Sequence, residues 1–97
     1  MSDFRTVYVS VGNSDNRLAQ SEWVDFACST FAKVQASARE VFGVWWSAPD
    51  SPFQNACIAA SLHSTEIIPL QAALTLLRRS HRQSSVAWAE AMDVVMI

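Results

Sequence analysis

The chain has 97 residues, about half of them apolar and 16% charged, which is enough for one domain with a single core (residues 1–97) and too little for two. The composition excludes a disordered chain, and polar residues interrupt the apolar ones throughout, so no membrane span is expected. A formal net charge of −2 without a long basic stripe argues against nucleic-acid binding, which depends on neutralising several phosphates at once.

Residues 4–11, FRTVYVSV, alternate Val7, Val9 and Val11 with Thr6, Tyr8 and Ser10, the pattern of a half-buried strand. The turn formers Gly12 to Asn16 end it. From about Gln20 to Arg39 there is no Gly or Pro, and Trp23, Ala27, Phe31, Val34 and Ala38 line one face of a helix. Val41 to Ser47 is rich in β-branched and aromatic residues, Ala48-Pro49-Asp50-Ser51-Pro52 is turn chemistry, and Gln54 to Leu62 reads as the returning strand of a hairpin. Ser64-Thr65-Glu66 offers a helix N-cap. Residues 66–79 then carry Ile67, Leu70, Ala73, Leu74 and Leu77 at helical spacing, with Pro69 tolerable in the first turn. Ser84 to Met92 alternates again, and the apolar tail 94–97 extends that strand.

Strand, helix, strand, strand, helix, strand with right-handed crossovers predicts an α+β fold: a ferredoxin-like βαββαβ sandwich, a four-stranded antiparallel sheet with two helices on one face. In that topology the loop after the first strand, the hairpin tip and the loop before the last strand meet at one end. That end gathers Asn13, Asp15, Asp50, Gln54, Asn55, His81, Arg82 and Gln83, with Phe53 in the hairpin beside them. Amides supply donors and acceptors and Arg82 a planar fork, so these groups either meet a partner or tie the loops together. The prolines stiffen the hairpin, making Phe53 a candidate anchor beside Gln54 and Asn55.

The second candidate surface is the sheet face away from the helices, where Tyr8, Trp45 and Trp88 are expected. Ala87, Ala89 and Ala91 would point inward and let the helices approach, while Val44 and Trp46 also point inward, Trp46 as a core residue. Three exposed aromatics exceed what a monomer ordinarily leaves uncovered.

Catalytic, metal and cofactor chemistry finds no support. Cys28 lies in the first helix pattern and Cys57 in mid-strand, positions typical of small core side chains. His63 and His81 fall at opposite ends of the fold, which precludes a shared metal or a Cys–His pair. The two glycines, Gly12 and Gly43, form no phosphate loop. The start, Met-Ser-Asp-Phe-Arg-Thr, lacks the segments of a signal peptide, and two distant cysteines form no disulfide framework, so a cytoplasmic location is expected. The basic cluster Arg78, Arg79, His81 and Arg82 suits a helix C-terminus.

The segments VSVGNSDNRLAQSEW, GVWWSAPDSPFQNAC and RQSSVAWAE resemble those of small uncharacterised proteins encoded by actinobacteria and their phages or integrated elements, over nearly the whole chain. The resemblance brings no activity, cofactor or partner with it, and no functional residue is carried over. In layout the chain is similar to RNA-recognition domains, dimeric α+β barrel oxygenases and small phage inhibitors of bacterial defence. The third strand, however, offers Asn55, Cys57 and Ala59 where RNA-recognition domains present stacking aromatics. Two expectations follow: a non-enzymatic interaction module, such as a mobile-element accessory protein inhibiting a host protein, or a homodimer through the open sheet face that binds or oxidises a small apolar molecule between its sheets, with Tyr8, Trp45 and Asn55 lining the pocket.

Overall fold

In the computed structural model, which describes residues 3–13, 17–91, 95 and 97, the first alternating run forms β1 (Phe4–Gly12). Its Val7, Val9 and Val11 are buried, as expected of β-branched side chains on the covered face of a pleated strand. Helix α1 (Gln20–Ser37) buries Trp23, Phe26, Ala27, Thr30, Phe31 and Val34. Ala19 has no side-chain oxygen to cap it, and Glu22 supplies the returning half of a capping box by accepting from the Ala19 N–H at 3.1 Å. The buried Thr30 hydroxyl is satisfied by donating to the Phe26 carbonyl at 2.9 Å.

The hairpin comprises β2 (Glu40–Trp46) and β3 (Asn55–His63). Helix α2 (Ser64–Ser80) follows β3 without a loop. It begins two residues before the predicted start, and its cap is His63, whose Nδ1 accepts from the Thr65 N–H at 3.2 Å. Pro69 therefore lies past the first turn, where its ring forgoes one bond to the Thr65 carbonyl. α2 ends in a Schellman motif: the Gln83 N–H reaches the Arg78 carbonyl at 2.8 Å and the Arg82 N–H the Arg79 carbonyl at 3.0 Å. Arg82 takes the left-handed position, φ 58°, that glycine ordinarily fills. The last strand, β4 (Ala87–Glu90), has four residues and begins three residues later than expected; Met92 and positions 94 and 96 of the expected tail lie outside the described residues.

The sheet order is β2-β3-β1-β4, antiparallel throughout. This is the α+β ferredoxin-like layout, with β1 and β3 central. The apolar residues of both helices and of β1 and β3 form one buried cluster. Among the described residues no helix is long and apolar enough to cross a membrane.

Register decides which side chains face the helices. Val7, Val9 and Val11 stand opposite Ala60, Ile58 and Ala56, and on the other side Val7 and Val9 stand opposite Glu90 and Trp88. Trp88 thus faces the helices and packs half-buried against the core, contrary to the expectation that it lies on the open face. Ala87 and Ala89, opposite Ser10 and Tyr8, point outward. An alternating run such as AWAEA fits either face, because a one-residue slip exchanges them. Burying an indole outweighs the closer helix approach that alanines would allow.

Two further expectations are corrected. Trp46 points toward the helix side but is no core residue: β2 is outermost, the helices contact β3, and Trp46 remains 41% exposed, with its ring edge-on to Trp23 at 6.1 Å and Phe31 at 5.5 Å. Cys28 is exposed on α1 and Cys57 half-buried on the open face, so neither thiol belongs to the core.

Candidate interaction surface

The polar groups foreseen at one end of the fold are largely engaged with each other. Asn13 is only 2% exposed and engages both ends of its amide. Its Oδ1 accepts from the Leu18 N–H at 3.0 Å, while its Nδ2 donates to the Leu18 carbonyl and to Gln54 Oε1, both at 3.0 Å. Gln54 in turn exchanges two bonds with Gln20, at 2.7 and 3.0 Å. The Asn13 N–H donates to the Gln54 carbonyl at 2.9 Å, so the β1–α1 loop and the hairpin are clamped by backbone and side chains together. A Cβ at Gly12, beside this clamp, would meet Asn55 Oδ1 at 2.8 Å, so a larger residue there would displace the exposed Asn55 side chain.

Within the hairpin, Asn55 Nδ2 donates to the Phe53 carbonyl at 2.9 Å and the Asn55 N–H to Ser47 Oγ at 3.0 Å. The Ser51 N–H closes a turn on the Ala48 carbonyl at 2.9 Å. Gln83 is buried and donates to the His81 carbonyl at 3.2 Å. The Arg82 guanidinium turns to Glu22 Oε2 at 2.9 Å, the same carboxylate that caps α1. Asp50 is exposed in the hairpin turn, and Asp15 lies outside the described residues. Among the described residues no buried side-chain nitrogen or oxygen lacks a partner. The polar end is therefore mainly a fastening.

One pairing escaped the sequence analysis. His81 Nε2 lies 3.0 Å from Asp25 Oδ2, and Nδ1 lies 3.1 Å from the Leu77 carbonyl. Acceptors at both ring nitrogens favour the imidazolium, which donates from each. The bond to Asp25 raises the His81 pKa above the usual histidine value; burial opposes this, and the Leu77 carbonyl and the charges of Asp25 and Glu22 add to it. Glu22 and Asp25 are one helical turn apart, so the start of α1 is tied to the end of α2 at two points. Acids at i and i+3 facing a basic C-terminus were the available signal.

The apolar surfaces present a different picture. On the open face Trp45 stands in line with Cys57, Ser10 and Ala87, and the next row holds Gly43, Ala59, Tyr8 and Ala89. Two exposed rings, Tyr8 and Trp45, thus rise above a floor of small side chains. β2 leaves more uncovered: Phe42 is 55%, Val44 44% and Trp45 58% exposed. Phe53 at the hairpin tip is exposed as well. On the helix side of the same hairpin, Trp23, Val24, Trp46, Ala48 and Pro49 border an apolar groove of about 290 Å³. Of the site residues foreseen, Trp45 and Phe53 belong to this strip. Phe42, Val44 and Trp46 were missed, although the topology that makes β2 an outer strand was the signal that would have exposed them.

Among the described residues no group of three or more His, Cys, Asp or Glu side chains could hold a metal ion. No family model matches the sequence, and no curated protein matches it. Among solved structures, the chain is similar to a DUF3240 family protein from Shewanella baltica OS155, with a TM-score of 0.52 and 12% identity, over 100% of this chain and 99% of that one. This likeness shows the shared fold alone. A second likeness is to a protein from Burkholderia cenocepacia described as an amidohydrolase/peptidase: TM-score 0.42, 8% identity, 92% of this chain and 27% of that one. At that score it carries no argument.

Proposed function

We propose that the protein is a non-enzymatic interaction module that grips a partner protein with its hairpin. The observation that carries this reading is the run of exposed large apolar side chains on β2 and the hairpin tip, Trp45 and Phe53 foremost, beside a polar end whose groups are already bonded to one another. Tryptophan and phenylalanine on a stiffened hairpin supply contact area with little side-chain entropy to lose, and truncating such an anchor commonly costs about 2 kcal/mol of binding. The proposed partner class is a host protein and the proposed effect inhibition; both rest on analogy of layout with small phage inhibitors.

The test is a photo-crosslinking amino acid placed at Phe53 and, as a control, at the exposed Ile68 of α2, in extracts of the source organism. One host protein captured from position 53 and not from 68, and lost in a Trp45→Ala background that melts like wild type, is the expected result. Equal capture from both positions would refute it.

The alternative, a homodimer enclosing a small apolar molecule between facing sheets, draws on Tyr8 and Trp45 above the small floor of Ser10, Ala59 and Ala89. With Trp88 turned to the helices, that face has two exposed aromatics instead of three, and we rank this reading second.

A further inference from the structure

The free backbone edge of β2 has a self-complementary register, and from it we infer that two copies of this chain join β2 to β2 in antiparallel fashion about a twofold axis at Val44, making one continuous eight-stranded sheet. The inference shares the exposed side chains of β2 with the partner reading and adds the hydrogen-bonding edge of that strand, so capture from Phe53 can fail while β2 pairing holds, and the reverse.

Four observations converge on it. First, the sheet's two edges differ in kind. β4 is four residues long, and shortness is a usual protection of an edge. β2 is seven residues long, with a charge only at Glu40 and no Lys or Pro. The one irregularity, the bulge between Val41 and Gly43, lies toward that same end, so residues 43–46 form a flat, uncharged edge.

Second, hydrogen-bond parity fits. The Ser47 N–H donates to the Asn55 carbonyl across the hairpin at 2.8 Å. Bonding direction alternates along an antiparallel strand, so Trp45 and Gly43 also turn their backbone groups toward β3, and those of Val44 and Trp46 project from the free edge. Val44 can therefore exchange both bonds with Val44 of a second copy.

Third, side-chain parity fits the same register. Val44 and Trp46 share the helix side while Gly43 and Trp45 share the open side. A twofold axis at Val44 puts Trp45 of each copy opposite Gly43 of the other, on one face. Nothing lies within 4 Å of where a Gly43 Cβ would stand, so there is room for a neighbouring indole to cover that bare backbone, a pairing used to rescue glycine in sheets. Glu40 falls outside the paired stretch, and no like charges meet.

Fourth, the area suffices for a modest dimer. Phe42, Val44, Trp45 and Trp46 leave roughly half their surface in water, about 400 Å² per copy. With two backbones added, pairing buries on the order of 1,000 Å², the lower bound of a specific interface. A dimer that dissociates in the micromolar range is expected.

Sedimentation equilibrium of the full chain tests this with two variants. Val44→Pro removes the N–H that points to the free edge and leaves the ladder to β3 intact, a substitution edge strands accept. Tyr8→Lys spoils only a dimer made by facing sheets. Expected are a wild-type dimer, an unchanged dimer for Tyr8→Lys, and dimerisation weakened by about 100-fold or more for Val44→Pro with its circular dichroism preserved. In a Cys28→Ser, Cys57→Ser background, Val44→Cys should oxidise to a 44–44 cross-linked dimer, since Cα atoms of directly opposed residues lie within disulfide reach. Wild type that stays monomeric at several hundred micromolar, a dimer lost in Tyr8→Lys but kept in Val44→Pro, or no cross-link at position 44 would overturn the inference. Should Val44→Pro unfold, the Val44→Cys cross-link decides alone.

Discussion

The polar end of the molecule and the β2 strip are joined by a single hairpin, yet they have opposite characters. At the polar end, Asn13, Gln20, Gln54 and Asn55 spend their amides on each other and on the backbone. Along β2, Phe42, Val44, Trp45 and Trp46 keep large apolar surfaces in water. Polar groups in loops invite a functional interpretation, and apolar groups in strands a structural one. Under the proposed function these assignments are reversed: a buried amide left unbonded costs about 1–3 kcal/mol, while an exposed aromatic costs the isolated fold little.

The most forceful way to break this comparison is Asn13→Ala. It orphans the buried Leu18 N–H and carbonyl and unfastens the hairpin from the β1–α1 loop, and a loss of about 2–4 kcal/mol is expected. Asn13→Asp keeps the shape but sets a carboxylate against the Leu18 carbonyl and Gln54 Oε1, so it too should destabilise. Trp45→Ala, measured at a dilution where the chain is monomeric, should stay within about 0.5 kcal/mol of wild type. Urea unfolding of the three variants measures the contrast; a stable Asn13→Ala, or a Trp45→Ala that unfolds, would reverse the roles given to the two regions.

Much of this was legible in the sequence. Alternation in FRTVYVSV and helical spacing in residues 20–39 and 66–79 carried the fold, since a 2-residue period and a 3.6-residue period are hard to confuse. The facing of Trp88 was illegible, because AWAEA alternates equally well in both registers and only pairing with Val9 settles it. The clamp on Asn13 was legible as residue type and not as geometry: an Asn after a strand suits a turn, but nothing local tells that Gln54, 41 residues away, meets it. Exposure along β2 was hidden because periodicity reports which way a side chain points and not whether anything lies there.

Trp46 tests the boundary between the two regions. A fully buried tryptophan would cost about 3–5 kcal/mol on truncation to alanine. With part of its ring in water and two edge-on contacts, to Trp23 and Phe31, Trp46→Ala should cost about 2 kcal/mol. A cost near the upper figure would mean that β2 is covered in the unliganded protein, which the dimer proposed above would bring about; repeating the measurement on Val44→Pro separates that contribution.

The smallest effect expected comes from the other fastening, His81 with Asp25. Its pKa is raised in the folded chain above the usual 6.5, chiefly by the bond to Asp25, so the folded state binds this proton more tightly than the unfolded state does. The resulting stability is fully present below the unfolded value and is lost as pH rises through the higher folded value. Thermal melts from about pH 6 to about pH 8.5, a window in which few other side chains titrate, should show a small fall in Tm for wild type. Asp25→Asn removes the main cause of the shift and should flatten that slope, whereas a Tm that rises over the window would show that burial of the ring outweighs its partners and that the helix ends are held together by Arg82 and Glu22 instead.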